Sequence, residues 1–225
     1  IDEPTTADRR LTAVRMALQL GLHDDAAELA EAGVETLSGA TRATWLEEVA
    51  AEADASEAGE LALWALVALR AEAGRADAPS LDVRIASAAL AVGDSARAVD
   101  AQARLARALP PGSEERRRVI ADLIRVEANG AAPATLVQRY EGFRAEFGAA
   151  PELDELTALV AAGVARAGRT EAALGLVGSE PPGPRSALER GYVLLATGDR
   201  EAALPDLEGS LPGLAPERAT EVIQL

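Results

Sequence analysis

Apolar residues along this chain recur with the 3.6-residue period of a helix, and one local pattern returns again and again. An apolar-periodic stretch ends in a small residue beside a polar one, and an alanine follows about five positions later. The clearest copies are Gly191 to Leu204 (GYVLLATGDREAAL), Ala86 to Val99 (ASAALAVGDSARAV), Ala161 to Leu174 (AAGVARAGRTEAAL) and Val14 to Ala26 (VRMALQLGLHDDA). Two weaker copies turn at Ala53-Asp54, with Ala58 behind it, and at Asn129-Gly130, with Pro133 and Thr135 behind it. The turns then stand at 21, 53, 93, 130, 168 and 198, spaced 32, 40, 37, 38 and 30 residues apart, which suits a two-helix repeat with variable linkers.

Each copy reads as a helical hairpin. The glycine ends the first helix, because a left-handed C-terminal residue is cheap without a Cβ. Asp94 and Asp199 are placed to cap the second helix, and the alanine sits where the two helices cross. Breakers separate the copies at Pro79-Ser80, Pro110 to Ser113, Pro151 and Pro181 to Pro184. Pro151 and Pro216 read as first-turn prolines, and Thr44 with Glu47 and Ser186 with Glu189 as capping boxes. The expected hairpins are 4–38, 41–75, 80–109, 113–148, 151–180 and 186–212, with 213–225 starting a further or capping helix, all in one domain.

Composition strengthens this picture. Alanine supplies about a quarter of the chain, the best helix former and the residue that lets helices approach closely. Aromatic residues are 3%, and strand-like runs are few. The 37 acidic side chains outnumber the 22 basic ones, all arginine, leaving a net charge of −15 that argues against nucleic acid and anionic membrane surfaces. Arginine-only, alanine-rich usage is associated with a GC-rich bacterial genome. Cysteine is absent, and the most apolar run, Leu61 to Leu69, is too short to span a bilayer. The compartment expected is cytoplasmic, or periplasmic and cell-envelope if a targeting signal precedes Ile1.

These hairpin residues resemble the tetratricopeptide repeat. Its consensus has small residues at positions 8 and 20, Gly-Asp at the turn and proline near position 32. With Gly198 as the turn, Gly191 and Ala203 fall on the small sites and Leu211 on position 28. With Gly93, Ala86 and Ala98 do so and Pro110 falls on position 32. The departures are Asp82 or Ala187 where position 4 has tryptophan, and Ala89, Val164 or Leu194 where position 11 has tyrosine. The resemblance implies an all-α, right-handed α-solenoid of about six antiparallel helix hairpins, divergent from the family, with a concave groove lined by the first helix of each pair. Its groove positions fall on Arg15, Glu47 and Ser87 in the first three units, and on Glu127, Arg166 and Tyr192 in the last three.

Chemistry-bearing motifs are sparse. Without lysine there is no P-loop, and no Gly-x-Gly-x-x-Gly follows a strand. His23, the single histidine, lies in a hairpin turn with no partner ligand in the sequence. Asp24-Asp25, Glu47-Glu48, Glu114-Glu115 and Glu152 with Asp154-Glu155 read as first-turn acids or a solvated face, not as a catalytic pair. Arg116 to Arg118 follow Glu114-Glu115 and are expected to pair locally. Trp45, Trp64, Tyr140, Phe143 and Phe147 read as packing residues. Tyr192 reads first as packing and second as a groove contact.

The chain therefore reads as a non-catalytic scaffold holding a protein or peptide, with no cofactor and no metal. The alternative is an architectural segment of a larger envelope or multi-subunit complex, using lateral contacts. The abrupt start at Ile1 and the apolar Glu221 to Leu225 tail motivate it. A helical-array enzyme is the remote reading.

Overall fold

A computed structural model describes residues 3–72, 79–148, 150–178 and 181–223. The ends of the expected units at 73–75, 179–180 and 224–225 lie outside the described residues. Among the described residues the chain forms thirteen α-helices and no strand. In chain order they are α1 Glu3–Gln19, α2 His23–Val34, α3 Gly39–Ala55, α4 Gly59–Ala71, α5 Pro79–Ala91, α6 Ser95–Ala108, α7 Glu114–Glu127, α8 Pro133–Phe147, α9 Leu153–Arg166, α10 Thr170–Val177, α11 Pro184–Ala196, α12 Arg200–Ser210 and α13 Pro216–Ile223. They group into two compact units, residues 1–108 and 109–225. Each is a stack of antiparallel hairpins of tetratricopeptide-like kind.

One backbone device builds five of the six hairpins. The first helix ends on a left-handed residue: Gly21, Glu57, Gly93, Gly168 or Gly198, with φ of 71°, 56°, 79°, 76° and 86°. That residue's N–H reaches back three residues and the next one's reaches back five, as in Asp94 N to Ala89 O at 2.8 Å and Asp199 N to Leu194 O at 3.0 Å. The same second residue then accepts the first hydrogen bond of the following helix from an alanine. The donors Ala26, Ala62, Ala98, Ala173 and Ala203 lie 3.0 to 3.1 Å from it, and all five are fully buried. Seven residues before each left-handed residue, on the first helix, stand Val14, Ala50, Ala86, Ala161 and Gly191, also buried. A Cβ on Gly191 would meet Leu207 at 2.7 Å, which shows how closely such helices approach.

The second turn stands at Glu57, not at Ala53-Asp54, which lie inside α3. The pattern misleads there because the left-handed residue is a glutamate. Moving the turn makes both of the first two spacings 36 residues and replaces Ala58 by Ala62 as the crossing alanine. The fourth hairpin uses a longer connection through Gly130, and buried Leu136 takes the place expected of Thr135, which is exposed. Asp94 and Asp199 cap as expected, accepting from Arg97 N and Ala202 N at 3.0 and 3.1 Å. The capping boxes form differently: Thr44 lies within α3, whose N-cap is Ser38, and Ser186 is the third residue of α11. Pro216 opens α13, whereas Pro151 precedes α9 in a turn.

In the first unit α1 packs on α3 and α4 on α5. Leucines and valines (Val14, Leu46, Val49, Leu66, Leu69) mesh there with alanines, and Trp45 fills the space above Gly33. The second unit packs α7 on α9 and α9 on α11. Its cluster around Tyr140, Phe143, Leu156 and Val160 is bulkier, and a smaller one around Leu188, Leu194 and Leu207 takes in Val222 of α13.

Candidate functional site

The first-helix residues singled out in the sequence divide between the units. In the first, Arg15 on α1 is half-buried and its Nε donates to Glu52 Oε1 of α3 at 2.8 Å. Its pKa is raised by that hydrogen bond and charge. Glu47 is half-buried on α3, and Ser87 is exposed on α5. With the turn at Glu57, the groove position carried over to Glu47 moves to Ala51, which is exposed.

In the second unit, Glu127 is buried and receives two bonds from Arg139 of its own hairpin, at 2.5 and 2.8 Å. Arg166 donates to the Ala128 carbonyl at 3.0 Å. Tyr192 is half-buried against the Leu188 cluster. These side chains tie helices together.

A chain of such ties runs along α7, α9 and α11. Arg125 binds Glu155 with two bonds of 2.8 and 2.9 Å, and Arg185 lies 3.3 Å from the same carboxylate. The Arg125 bond holds the Glu155 carboxyl below the usual range, against the opposing push of burial. One residue earlier, Asp154 accepts from Arg185 N, Ser186 N and the Ser186 hydroxyl at 3.0, 3.0 and 2.6 Å. It thereby caps α11 from the neighbouring hairpin. Gly183 is needed for this, because a Cβ there would lie 2.6 Å from the carboxylate carbon.

Arg116 to Arg118 reach further than local pairing predicts. Only Arg118 pairs wholly with Glu114, while Arg116 donates to Glu146 at 2.9 Å and Arg117 lies 3.5 Å from Glu152. Burial pushes the Glu146 carboxyl up, but the Gly112 N–H and Arg116 outweigh it and leave it lowered. Asp206 is the opposite case: burial raises its pKa despite Arg190 at 3.3 Å. Among the described residues no group of three or more metal-ligating side chains is placed to hold an ion, and no helix is long and apolar enough to cross a membrane.

Open clefts lie in both units; one of about 440 Å³ in the second is lined by Val137, Glu141, Arg169 and Leu176 of α8, α10 and the turn before α10. Between α1 and α3 an opening of about 330 Å³ is lined by Asp8, Thr41, Thr44 and Glu48, with Trp45 beneath. The Trp45 indole N–H is buried and has no hydrogen-bond partner. Reading one helical position on from Glu47, and crediting tryptophan with a polar edge as well as packing bulk, finds this cleft in the sequence. A larger opening of about 740 Å³ separates α4 from the turn before α6 and α6 itself.

No protein-family model and no curated protein matches the chain. Solved structures do resemble it. A Podosopora anserina putative kinesin light chain with nearly identical TPR-like repeats aligns at 19% identity and TM-score 0.45, covering 88% of this chain and 99% of that one. A structure described as MamA MSR-1 C2 aligns at 14% and 0.49, covering 81% and 97%. A tetratricopeptide repeat protein from Parabacteroides merdae aligns at 12% and 0.42, covering 98% of both chains. Five hairpins share the left-handed turn and the buried alanine after it, and four of them carry alanine or glycine seven residues before the turn, as in a tetratricopeptide-like fold.

Proposed function

We propose that the chain is a non-catalytic interaction scaffold that holds a partner polypeptide on the first-helix face of residues 1–108. The observation carrying this reading is the α1–α3 cleft. Asp8 and Glu48 line it beside Thr41 and Thr44, with Trp45 as an aromatic wall. The unit itself carries 19 acidic and 10 basic side chains, net −9, against 18 and 12, net −6, for residues 109–225. Together these favour a segment bearing lysine or arginine.

The test replaces Thr44 by a photocrosslinking amino acid in the full chain and repeats capture with Asp8→Arg and Glu48→Arg combined. The expected result is a crosslinked protein partner that the double variant loses while its helical circular dichroism is unchanged. Capture by the double variant at the original level would remove the first-helix reading.

A further inference from the structure

One connection departs from the left-handed turn that builds the other five hairpins. Between α7 and α8 the chain runs through Asn129-Gly130, and Asn129 is its single asparagine. Both residues are exposed. Among the described residues none hydrogen-bonds to the Asn129 side-chain amide. A Cβ at Gly130 would meet nothing within 4 Å, and its φ is not left-handed, so neither packing nor backbone conformation demands a glycine here.

The main chain on either side is held more firmly than this dipeptide. Glu127 is buried under Arg139, and the Ala128 carbonyl accepts from Arg166 of α9 at 3.0 Å. The Gly130 N–H donates to the Glu127 carbonyl at 3.0 Å, and the Ala131 N–H donates to the same oxygen at 2.8 Å. Such shared acceptors are common at helix ends. When the Gly130 N–H lets go, the carbonyl keeps its second donor and the freed N–H faces water. Local opening at Gly130 therefore leaves no buried group unpaired and costs little.

We infer that Asn129-Gly130 is a site of spontaneous deamidation, with water as the co-reactant, and that its conversion loosens the α7–α8 hairpin. The Gly130 nitrogen, having given its proton to base, attacks Cγ of Asn129. Glycine leaves that nitrogen unshielded because it has no Cβ. The N–Cγ bond forms, the Cγ–Nδ2 bond breaks, and the amide group takes up a proton and leaves as ammonia. The succinimide ring then adds water. Opening at Cγ gives aspartate. Opening at the main-chain carbonyl carbon gives isoaspartate, in which the chain runs through the side chain and gains a methylene. Either product adds a negative charge to a chain of net charge −15. The new carboxylate stands just beyond the C-terminal end of α7, where the helix dipole disfavours an anion. Isoaspartate also lengthens the connection one residue after the carbonyl that holds Arg166.

The experiment ages the folded full chain at mildly alkaline and mildly acidic pH and follows the tryptic peptide 126–139 by mass spectrometry. The peptide is expected to gain about 1 Da, the exchange of an amide for a carboxyl group, and to gain it faster at the alkaline pH. Isoaspartyl methyltransferase is expected to label the product. Gly130→Ala is expected to melt like the parent and to convert at least about tenfold more slowly. Asn129→Gln, which would have to close a larger ring, is expected to hold its mass, and it serves if Gly130→Ala misfolds. The converted protein is expected to melt about 1–3 °C lower than the fresh one. No mass gain, a gain only in urea-unfolded chain, an equal rate in Gly130→Ala, or fragment ions that place the gain at Gln138 overturns the site. An unchanged melting temperature after full conversion overturns the loosening of the hairpin.

Discussion

The two units are built on the same hairpin but are stabilised differently. Residues 1–108 have Trp45 seated on Gly33, a helix, α4, that stays apolar on its open side, and separate ion pairs, Arg15–Glu52 and Arg70–Asp82–Arg104. Residues 109–225 have bulkier aromatic packing and a row of cross-hairpin charges, from Arg117–Glu152 through Arg125–Glu155–Arg185 to the Asp154 cap. Where ion pairs occupy a helix face, that face is committed to holding neighbours together. Where apolar and unpaired groups remain on a face, it is available to a partner.

Glycine-to-alanine substitutions in the two units probe this contrast most severely. Alanine is the better helix former by about 1 kcal/mol. At Gly142 of α8, where a Cβ meets nothing within 4 Å, that gain is expected to appear as added stability. At Gly33 the Cβ would lie 2.4 Å from the Trp45 ring, which is 2% exposed. Gly33→Ala is expected to destabilise by about 1–3 kcal/mol despite the propensity gain. Thermal melts of both variants decide it, and a stabilised Gly33→Ala would mean that the first unit is packed more loosely than its alanine crossings suggest.

Much of this architecture is legible in the sequence because the hairpin device is local. A left-handed glycine, an aspartate cap and an alanine five residues on lie within a short stretch, so Gly93 and Gly198 announce their turns. The candidate sites are not local. Glu127 reads as a groove residue by position, yet it is buried because Arg139, 12 residues away, folds back on it. Asp154 reads as a first-turn acid of its own helix. That it caps α11 depends on how two hairpins stack, which no single stretch encodes. The opening beside α4 is half legible: the apolar sequence of the helix is plain, but which side stays uncovered emerges only from packing.

Removing the tie at the centre of the second unit gives the next largest effect. Asp154→Ala leaves two N–H groups of α11 without their acceptor, while the Ser186 hydroxyl keeps the Gly183 carbonyl at 3.0 Å, and is expected to cost about 0.5–2 kcal/mol, the range for a lost helix cap. An unchanged melting temperature would show that water replaces the carboxylate at no cost. The neighbouring Glu155 adds a pH dependence with a definite sign. Its folded pKa lies below the unfolded value, chiefly through the Arg125 bond. The stability it contributes is therefore complete above the ordinary carboxylate range and is lost as pH falls through the depressed folded value. Glu155→Gln is expected to flatten the acid limb of the stability profile, and an unaltered limb would remove Arg125–Glu155 from the list of ties.

The smallest effect concerns the turn that the sequence hides. Glu57 holds φ at 56°, the left-handed conformation that glycine occupies in the four other hairpins built the same way. A side chain there costs about 1–2 kcal/mol. Glycine removes that strain and gives back part of the gain, about 0.5–1 kcal/mol, as extra freedom in the unfolded chain. Glu57→Gly is accordingly expected to stabilise the protein by up to about 1 kcal/mol, read as a raised melting temperature. Gly168 occupies the corresponding turn of the second unit, and Gly168→Glu is expected to lower stability by a similar amount. If both substitutions destabilise, the Glu57 side chain contributes a contact that offsets its backbone strain. The second turn would then differ from the others in energy as well as in sequence.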